Sequence, residues 1–260
     1  MATNTPFGQR LGLVLEGGAM RGIYTAGVLD VFLEAGIMPD VVVGVSAGAL
    51  HGCSYVAGQK GRSIRYYRKY RSDKHFMGLY SLLTTGDVVG TKFCYEDIPL
   101  RLDPFDEAAF EKAPVDFYVT VTNVRTGKPE YILCDELKVG SKMDVIRAGA
   151  SMPLCRKSIV VLTQPAGYLK QPAAMAPFEA MYRKYPAFVE AMRGRDQMYN
   201  TEVCAVEQAA KQGDVFLIRP SKLLHVGRME HDIEVLNAQY ELGRQDARNQ
   251  MDAMREWMER

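Results

Sequence analysis

The sequence has no long apolar run, no excess of either charge and no clustered cysteines, and each absence removes a class of protein. No stretch approaches the ~18 consecutive apolar residues that a membrane-spanning helix needs. The N-terminal "MATNTPFGQR" has no cationic region followed by an apolar one, so no secretory leader is expected. Lysine and arginine number 32 against 31 acidic residues, a net charge of +1, which points away from nucleic acid and from any polyanionic partner. The five cysteines (Cys53, Cys94, Cys134, Cys155 and Cys204) are odd in number and widely spaced, with no C-x-x-C and no zinc-type grouping with the four histidines. Buried free thiols in a reducing, cytoplasmic compartment, with no metal site, are the expectation. What is present is an ordinary globular composition: 260 residues, 47% hydrophobic and 24% charged, enough to bury a full core.

Apolar runs alternate with helical patterns. "LGLVL" (11–15) reads as a buried strand, and 22–36 places Ile23, Ala26, Leu29, Phe32 and Leu33 on one helical face. "VVVGV" (41–45) is short, β-branched and apolar on both faces, which suits the interior of a parallel sheet, and "AGALHGCSYVAG" continues as a helix of small residues. Further strands are expected at "DFYVTVTN" and "PEYILCD", paired as a hairpin, at "SIVVLT" (158–163) and at "VFLIRP" (215–220). A long charge-mixed helix follows from His231. One α/β domain with a helical C-terminal extension accounts for this order.

Two loops carry chemistry. Gly44-Val45-Ser46-Ala47-Gly48 matches G-x-S-x-G, the strand-turn-helix elbow that holds a serine in a strained turn. Glycines at 44 and 48 avoid collisions with the neighbouring strand and helix. At the end of the preceding strand, "GGAMRG" (17–22) opens a helix, leaving several backbone N–H groups unpaired and suited to an anion or a developing oxyanion. A P-loop is excluded, because Gly22 is followed by Ile23 and Tyr24. A dinucleotide loop fails too, at the second glycine of G-x-G-x-x-G. Adjacent parallel strands ending in these loops would set oxyanion donors beside Ser46.

With these two motifs the chain resembles the patatin-like phospholipase family, whose signature is G-G-G-x-[RK]-G after the first strand, G-x-S-x-G after the second, and a later Asp-Gly-Gly or Asp-Gly-Ala. Ala19 stands where the third glycine would be, keeping the N–H but adding a methyl group. The resemblance implies a three-layer α/β/α fold with a mainly parallel central sheet. It places a patatin-like domain at 1–170 and a C-terminal part at 171–260, mostly helical with one strand, packed on the same domain. It also implies a serine-dependent lipid acyl hydrolase without metal or organic cofactor. Ser46 would be the nucleophile, and the N–H groups of Gly17, Gly18, Ala19 and Met20 the oxyanion hole.

The aspartate of the family's Ser-Asp dyad has no counterpart, since no Asp-Gly dipeptide occurs anywhere in the sequence. In similar proteins a stretch like "RAGASMPL" leads into the Asp-Gly-Gly segment; here "SMPLC" runs directly into "RKSIVVLTQP", with a join at Cys155 and Arg156. Either that segment is deleted, or the sequence joins residues flanking a stretch it does not include. The match of both flanks favours the second. A serine needs a base, and His51, His75, His225 and His231 all read as surface or core histidines, while Asp135 and Asp144 have no motif to place them; the dyad aspartate is left unassigned. The competing reading is a catalytically silent lipid-binding or interaction protein. For the substrate, a lipid or other hydrophobic ester, two segments stand out. Residues 60–74 interleave seven basic residues with Tyr66, Tyr67 and Tyr70, which suits peripheral contact with a membrane as well as it suits a solvated helix with inward tyrosines. Residues 173–192, rich in Met, Phe and Tyr, read as core in preference to an acyl-chain wall.

Overall fold

A strand whose residues are apolar on both faces can be buried only between two covered layers, and β1 (Leu11–Leu15) occupies that position. The structure, a computed structural model, describes residues 10–86, 89–134, 155, 157–223, 225–227 and 229–260. After β1 come α1 (Ile23–Glu34), β2 (Val41–Gly44), α2 (Ala47–Val56), α3 (Arg62–Tyr70), α4 (Leu79–Thr85), a wide π-helical segment (Phe93–Leu102) and α5 (Glu107–Lys112). Then follow β3 (Asp116–Thr122), β4 (Pro129–Leu133), β5 (Lys157–Val161), α6 (Ala176–Tyr182), α7 (Pro186–Arg193), α8 (Arg195–Gln212), β6 (Val215–Ile218) and α9 (Ile233–Glu259). All six strands join one sheet in the order β4-β3-β2-β1-β5-β6. Every pairing is parallel except the β3–β4 hairpin. Helices flank the sheet, giving the α/β/α architecture expected from the sequence.

The strand order reverses at β1: the chain first builds outward through β2 and β3, then returns to add β5 and β6 on the other side. Such a switch point opens a crevice at the carboxyl ends of the central strands. Leu15 lies beside Gly44 of β2 and Val161 of β5, so the segments after all three strands emerge together.

One face of α1 was expected to be apolar, but Ile23 through Phe32 are all buried. The reason is α9, which covers the outer side. The helices approach so closely that a side chain on Gly27 would strike the Tyr240 carbonyl, and one on Gly243 the Tyr24 carbonyl. Two hydroxyls at this crossing are paired, Tyr24 donating to Asp246 at 3.0 Å and Tyr240 to Asp30 at 2.5 Å, whereas the buried Thr25 Oγ1 of α1 and Gln239 Oε1 of α9 have no hydrogen bond. Burial holds the Asp30 carboxyl above the usual carboxylate range. Among the described residues no helix is long and apolar enough to cross a membrane. Only Cys53 and Cys134 are buried; Cys94 and Cys155 are half-buried and Cys204 is exposed, a correction to the expectation of five buried thiols.

Candidate active site

The turn between β2 and α2 bends in two hydrogen-bonded steps, Gly48 N–H to the Val45 carbonyl at 2.8 Å and Leu50 N–H to the Ser46 carbonyl at 3.1 Å. Ser46 sits between them with φ 49° and ψ −116°. Together with Ala19, at φ 50°, it is one of two non-glycine residues with positive φ among the described residues. Both lie in the two loops singled out by sequence. An L side chain is strained there, and such strain persists only where the surroundings over-determine the backbone.

Those surroundings are tight. A Cβ on Gly44 would come within 2.5 Å of the Ala49 Cα, and one on Gly48 would strike the Leu15 carbonyl oxygen at the end of β1. One on Gly17 would lie 2.8 Å from the Val45 carbonyl oxygen and 3.1 Å from the Ser46 Cβ. The glycine loop therefore touches the elbow through bare backbone. Behind it, the Glu16 carboxylate accepts hydrogen bonds from Thr163 N–H and from Thr163 Oγ1 at 3.0 Å. Burial and that carboxylate raise the pKa of the Tyr199 hydroxyl of α8. Thr163 Oγ1 in turn abuts Gly18, where a Cβ would approach to 2.8 Å. Glu16, Thr163 and Tyr199 have no local sequence signal, since their meeting depends on contacts between distant parts of the chain.

Ser46 is exposed at the mouth of a cavity of about 160 Å³. Ala19, Met20, Ala47 and Leu50 line it, and Tyr66, Tyr67, Phe76, Met77, Ile98 and Phe105 are among its other walls. An apolar void of about 150 Å³ accommodates a benzene-sized group, so this one has room for the first carbons of an acyl chain. Its ionisable lining is kept neutral or paired. Burial raises the Tyr66 and Tyr67 hydroxyls, and it pushes the Cys94 thiol up to about 12. Arg62 donates to Ser54 Oγ at 3.1 Å and to the Asp103 carbonyl at 2.9 Å.

The remaining candidates separate. His51 is buried on α2, its Nδ1 2.9 Å from Ser63 Oγ, and its Nε2 has no hydrogen bond. Burial pushes its pKa down to about 3, and it does not line the cavity. His75 pairs with Asp73 at 2.8 Å, and His225 and His231 are exposed. Asp135, Asp144 and the residues preceding the join at Cys155 lie outside the described residues. Ser46 Oγ does not cap α2.

Of the two substrate segments, 60–74 takes the inward one of its two readings for the tyrosines, and 173–192 is corrected. Tyr66, Tyr67 and Tyr70 of α3 point inward, where they pack in a cluster with Ile23 and Phe76. Two cations of the same stretch are paired within the fold: the exposed Arg65 with Asp103 at 2.7 Å, and the buried Arg71 with the Glu230 and Met229 carbonyls. Tyr66 and Tyr67 thus wall the cavity, and Tyr70 packs behind them. In 173–192 only Val189 of the helical residues is buried, while Phe178, Tyr182 and Phe188 stack on one another; the stretch is neither core nor cavity wall.

A serine held at a strand-turn-helix elbow, beside a glycine loop at the switch point of an α/β/α sheet, defines the class of protein. Residues 13–158 match the family described as Patatin-like phospholipase, and the chain belongs to that family, one of lipid hydrolases. Residues 185–259, which contain α8, β6 and α9, match a domain of unknown function, DUF6363. The chain is 30% identical over 149 residues to the uncharacterized protein YjjU of Escherichia coli K12, covering 55% of this chain and 40% of that protein. It is 29% identical over 167 residues to lysophospholipase nte1 of Aspergillus terreus, and 27% over 156 residues to lysophospholipase NTE1 of Chaetomium globosum. These alignments cover 62% and 60% of this chain but only 10% of either fungal protein.

Proposed function

We propose that the chain is a serine-dependent acyl hydrolase acting on carboxylic esters of lipids, of phospholipase or lysophospholipase type. Ser46 Oγ attacks the ester carbonyl carbon, the carbonyl oxygen becomes an oxyanion facing the N–H groups of Gly17 to Met20, and the alcohol departs with a proton. Water then hydrolyses the acyl-serine, releasing the fatty acid and restoring the hydroxyl. The observation that supports this reading most directly is the strained Ser46 backbone, pressed against Gly17 at the mouth of an apolar cavity. Preorganised N–H donors of this kind are worth ~10²- to 10³-fold in rate each. The reaction needs no metal or organic cofactor, and nothing in it calls for nucleic acid.

A second reading is favoured by one specific fact: the sequence contains no Asp-Gly, and no described histidine or carboxylate serves Ser46 as a base. On that reading the protein binds lipid without turnover. Hydrolysis of p-nitrophenyl butyrate by the 260-residue chain and by Ser46→Ala separates the two. Turnover of the order of 1 s⁻¹ or faster, abolished in the variant, supports the enzyme. Residual acceleration of only ~10³- to 10⁴-fold over water, unchanged in the variant, supports the silent protein.

A further inference from the structure

α4 carries apolar side chains that the fold leaves uncovered. Leu79 is 69% exposed and Leu83 76%, while Tyr80 and Leu82 are each 41% exposed; Ser81 is the one buried residue of the helix. None of them joins either hydrophobic cluster. Scattered single leucines on a surface need no explanation, but four large apolar residues within five positions of one short helix do.

The position of α4 supplies the explanation. It is strung between Met77 and Val89, which pair across an antiparallel bridge and both line the cavity that opens at Ser46. The next wall, the segment Phe93–Leu102, repeats the arrangement: Ile98 and Pro99 face the cavity, while Leu100 and Leu102 are 52% and 40% exposed. Both walls thus carry apolar side chains on the cavity side and on the solvent side. Arg101 is exposed on Phe93–Leu102, Lys69 and Lys74 on α3 and the turn that follows it, and Lys74 Nζ lies 4.6 Å from the centre of the Tyr80 ring. Asp97 is paired with Lys92, which among the described residues of these segments leaves the exposed Asp73 and Glu96 against three cations. Exposed leucines accompanied by Lys74, Tyr80 and Arg101 match the make-up of a bilayer-surface segment, with apolar groups for the acyl chains and amphipathic ones for the headgroups.

We infer that α4 and the outer side of Phe93–Leu102 form a docking surface for a lipid bilayer, through which an ester-bearing lipid slides its acyl chain from the membrane into the cavity. A bilayer is the occupant because the same walls are apolar on both sides: whatever covers the solvent side must also be able to enter the cavity, and a lipid does both. The inference rests on the proposed lipid hydrolase for what the cavity receives. Docking itself does not need a reactive Ser46.

The test is co-sedimentation of the full chain with extruded phosphatidylcholine vesicles, alone and with about one-third phosphatidylglycerol. Wild type should bind both, and the anionic vesicles more tightly at low salt. The double variant Leu79→Ser/Leu83→Ser should bind at least about tenfold more weakly, given the apolar area it withdraws from the bilayer. Its thermal melt and its reactivity towards a soluble, short-chain phosphonate probe should be unchanged, because neither leucine packs in the core or touches Ser46. Vesicle binding that is lost in the double variant while Ser46 ignores the probe keeps the docking surface and removes the hydrolase reading. Absence of vesicle binding, or equal binding by the double variant, overturns the docking surface. So does a wild-type dimer in analytical ultracentrifugation that the double variant dissociates, since the face would then be an interface between two copies.

Discussion

Ser46→Gly should make the protein more stable than Ser46→Ala, and the size of the difference can be worked from the backbone. At φ 49° and ψ −116° the serine Cβ sits where L residues are rarely found, a strain of about 1 to 3 kcal/mol. Ser46→Ala keeps the Cβ and therefore the strain, and removes a hydroxyl that does not cap α2. Ser46→Gly releases the strain but adds unfolded-state freedom costing roughly 0.5 to 1 kcal/mol. The glycine variant should therefore be more stable than the alanine variant by up to about 2.5 kcal/mol, with a central value of about 1 kcal/mol. For a chain of 260 residues that central value is a rise in Tm of roughly 2 to 4 °C. Both variants should lack ester hydrolysis, so stability and activity move in opposite directions at one residue. Differential scanning calorimetry of the two proteins in one buffer is the assay. A glycine variant that melts at or below the alanine variant would refute the idea that the fold holds this residue under strain.

Gly17→Ala would set a Cβ 2.8 Å from the Val45 carbonyl oxygen, push the loop off the elbow and lower ester hydrolysis by ~10²-fold or more with native circular dichroism; wild-type turnover would detach the loop from the chemistry. His51 is buried neutral with its pKa pushed down to about 3, against ~6.5 when unfolded, so the unfolded chain takes up the proton first. The stability His51 contributes is complete above about pH 6.5 and is lost as pH falls towards 3, at about 1.4 kcal/mol per pH unit. His51→Gln should remove that slope between about pH 6 and pH 4, and urea midpoints with equal pH slopes in both proteins would contradict it. Gly243→Val should force α9 away from the Tyr24 carbonyl and destabilise by about 2 kcal/mol or more; an unchanged urea midpoint would show that the helices do not cross so closely.

The parts of the fold legible in sequence are those with local causes. "LGLVL" and "VVVGV" are too apolar and too short to be anything but buried strands, and β1 spans Leu11–Leu15 as expected. The two loops were readable for the same reason: a glycine pair after one strand and a glycine-flanked serine after the next. Features made by distant contacts were not readable. Nothing near Gly27 announces that Gly243 will press on the same crossing. Nothing in "VVLTQP" says that Thr163 will stand between Glu16 and Gly18. The arginine and tyrosine pattern of 60–74 fits a membrane face and an inward face equally well, and only the packing of Tyr66 and Tyr67 against Phe76 decides between them. In 173–192 aromatic density suggested core, yet Phe178, Tyr182 and Phe188 satisfy one another at the surface.

The central claim, that Ser46 is a nucleophile facing an oxyanion loop, is tested most directly by covalent labelling. A fluorophosphonate ester reports on the elbow even if turnover is slow, because N–H groups able to hold an oxyanion would also stabilise the tetrahedral adduct. Incubation of the intact chain with the probe, followed by digestion and mass spectrometry, should place a single adduct on the peptide containing Ser46, and Ser46→Ala should carry none. An adduct on a different serine with Ser46 unmodified, or a label that persists in Ser46→Ala, would contradict the account.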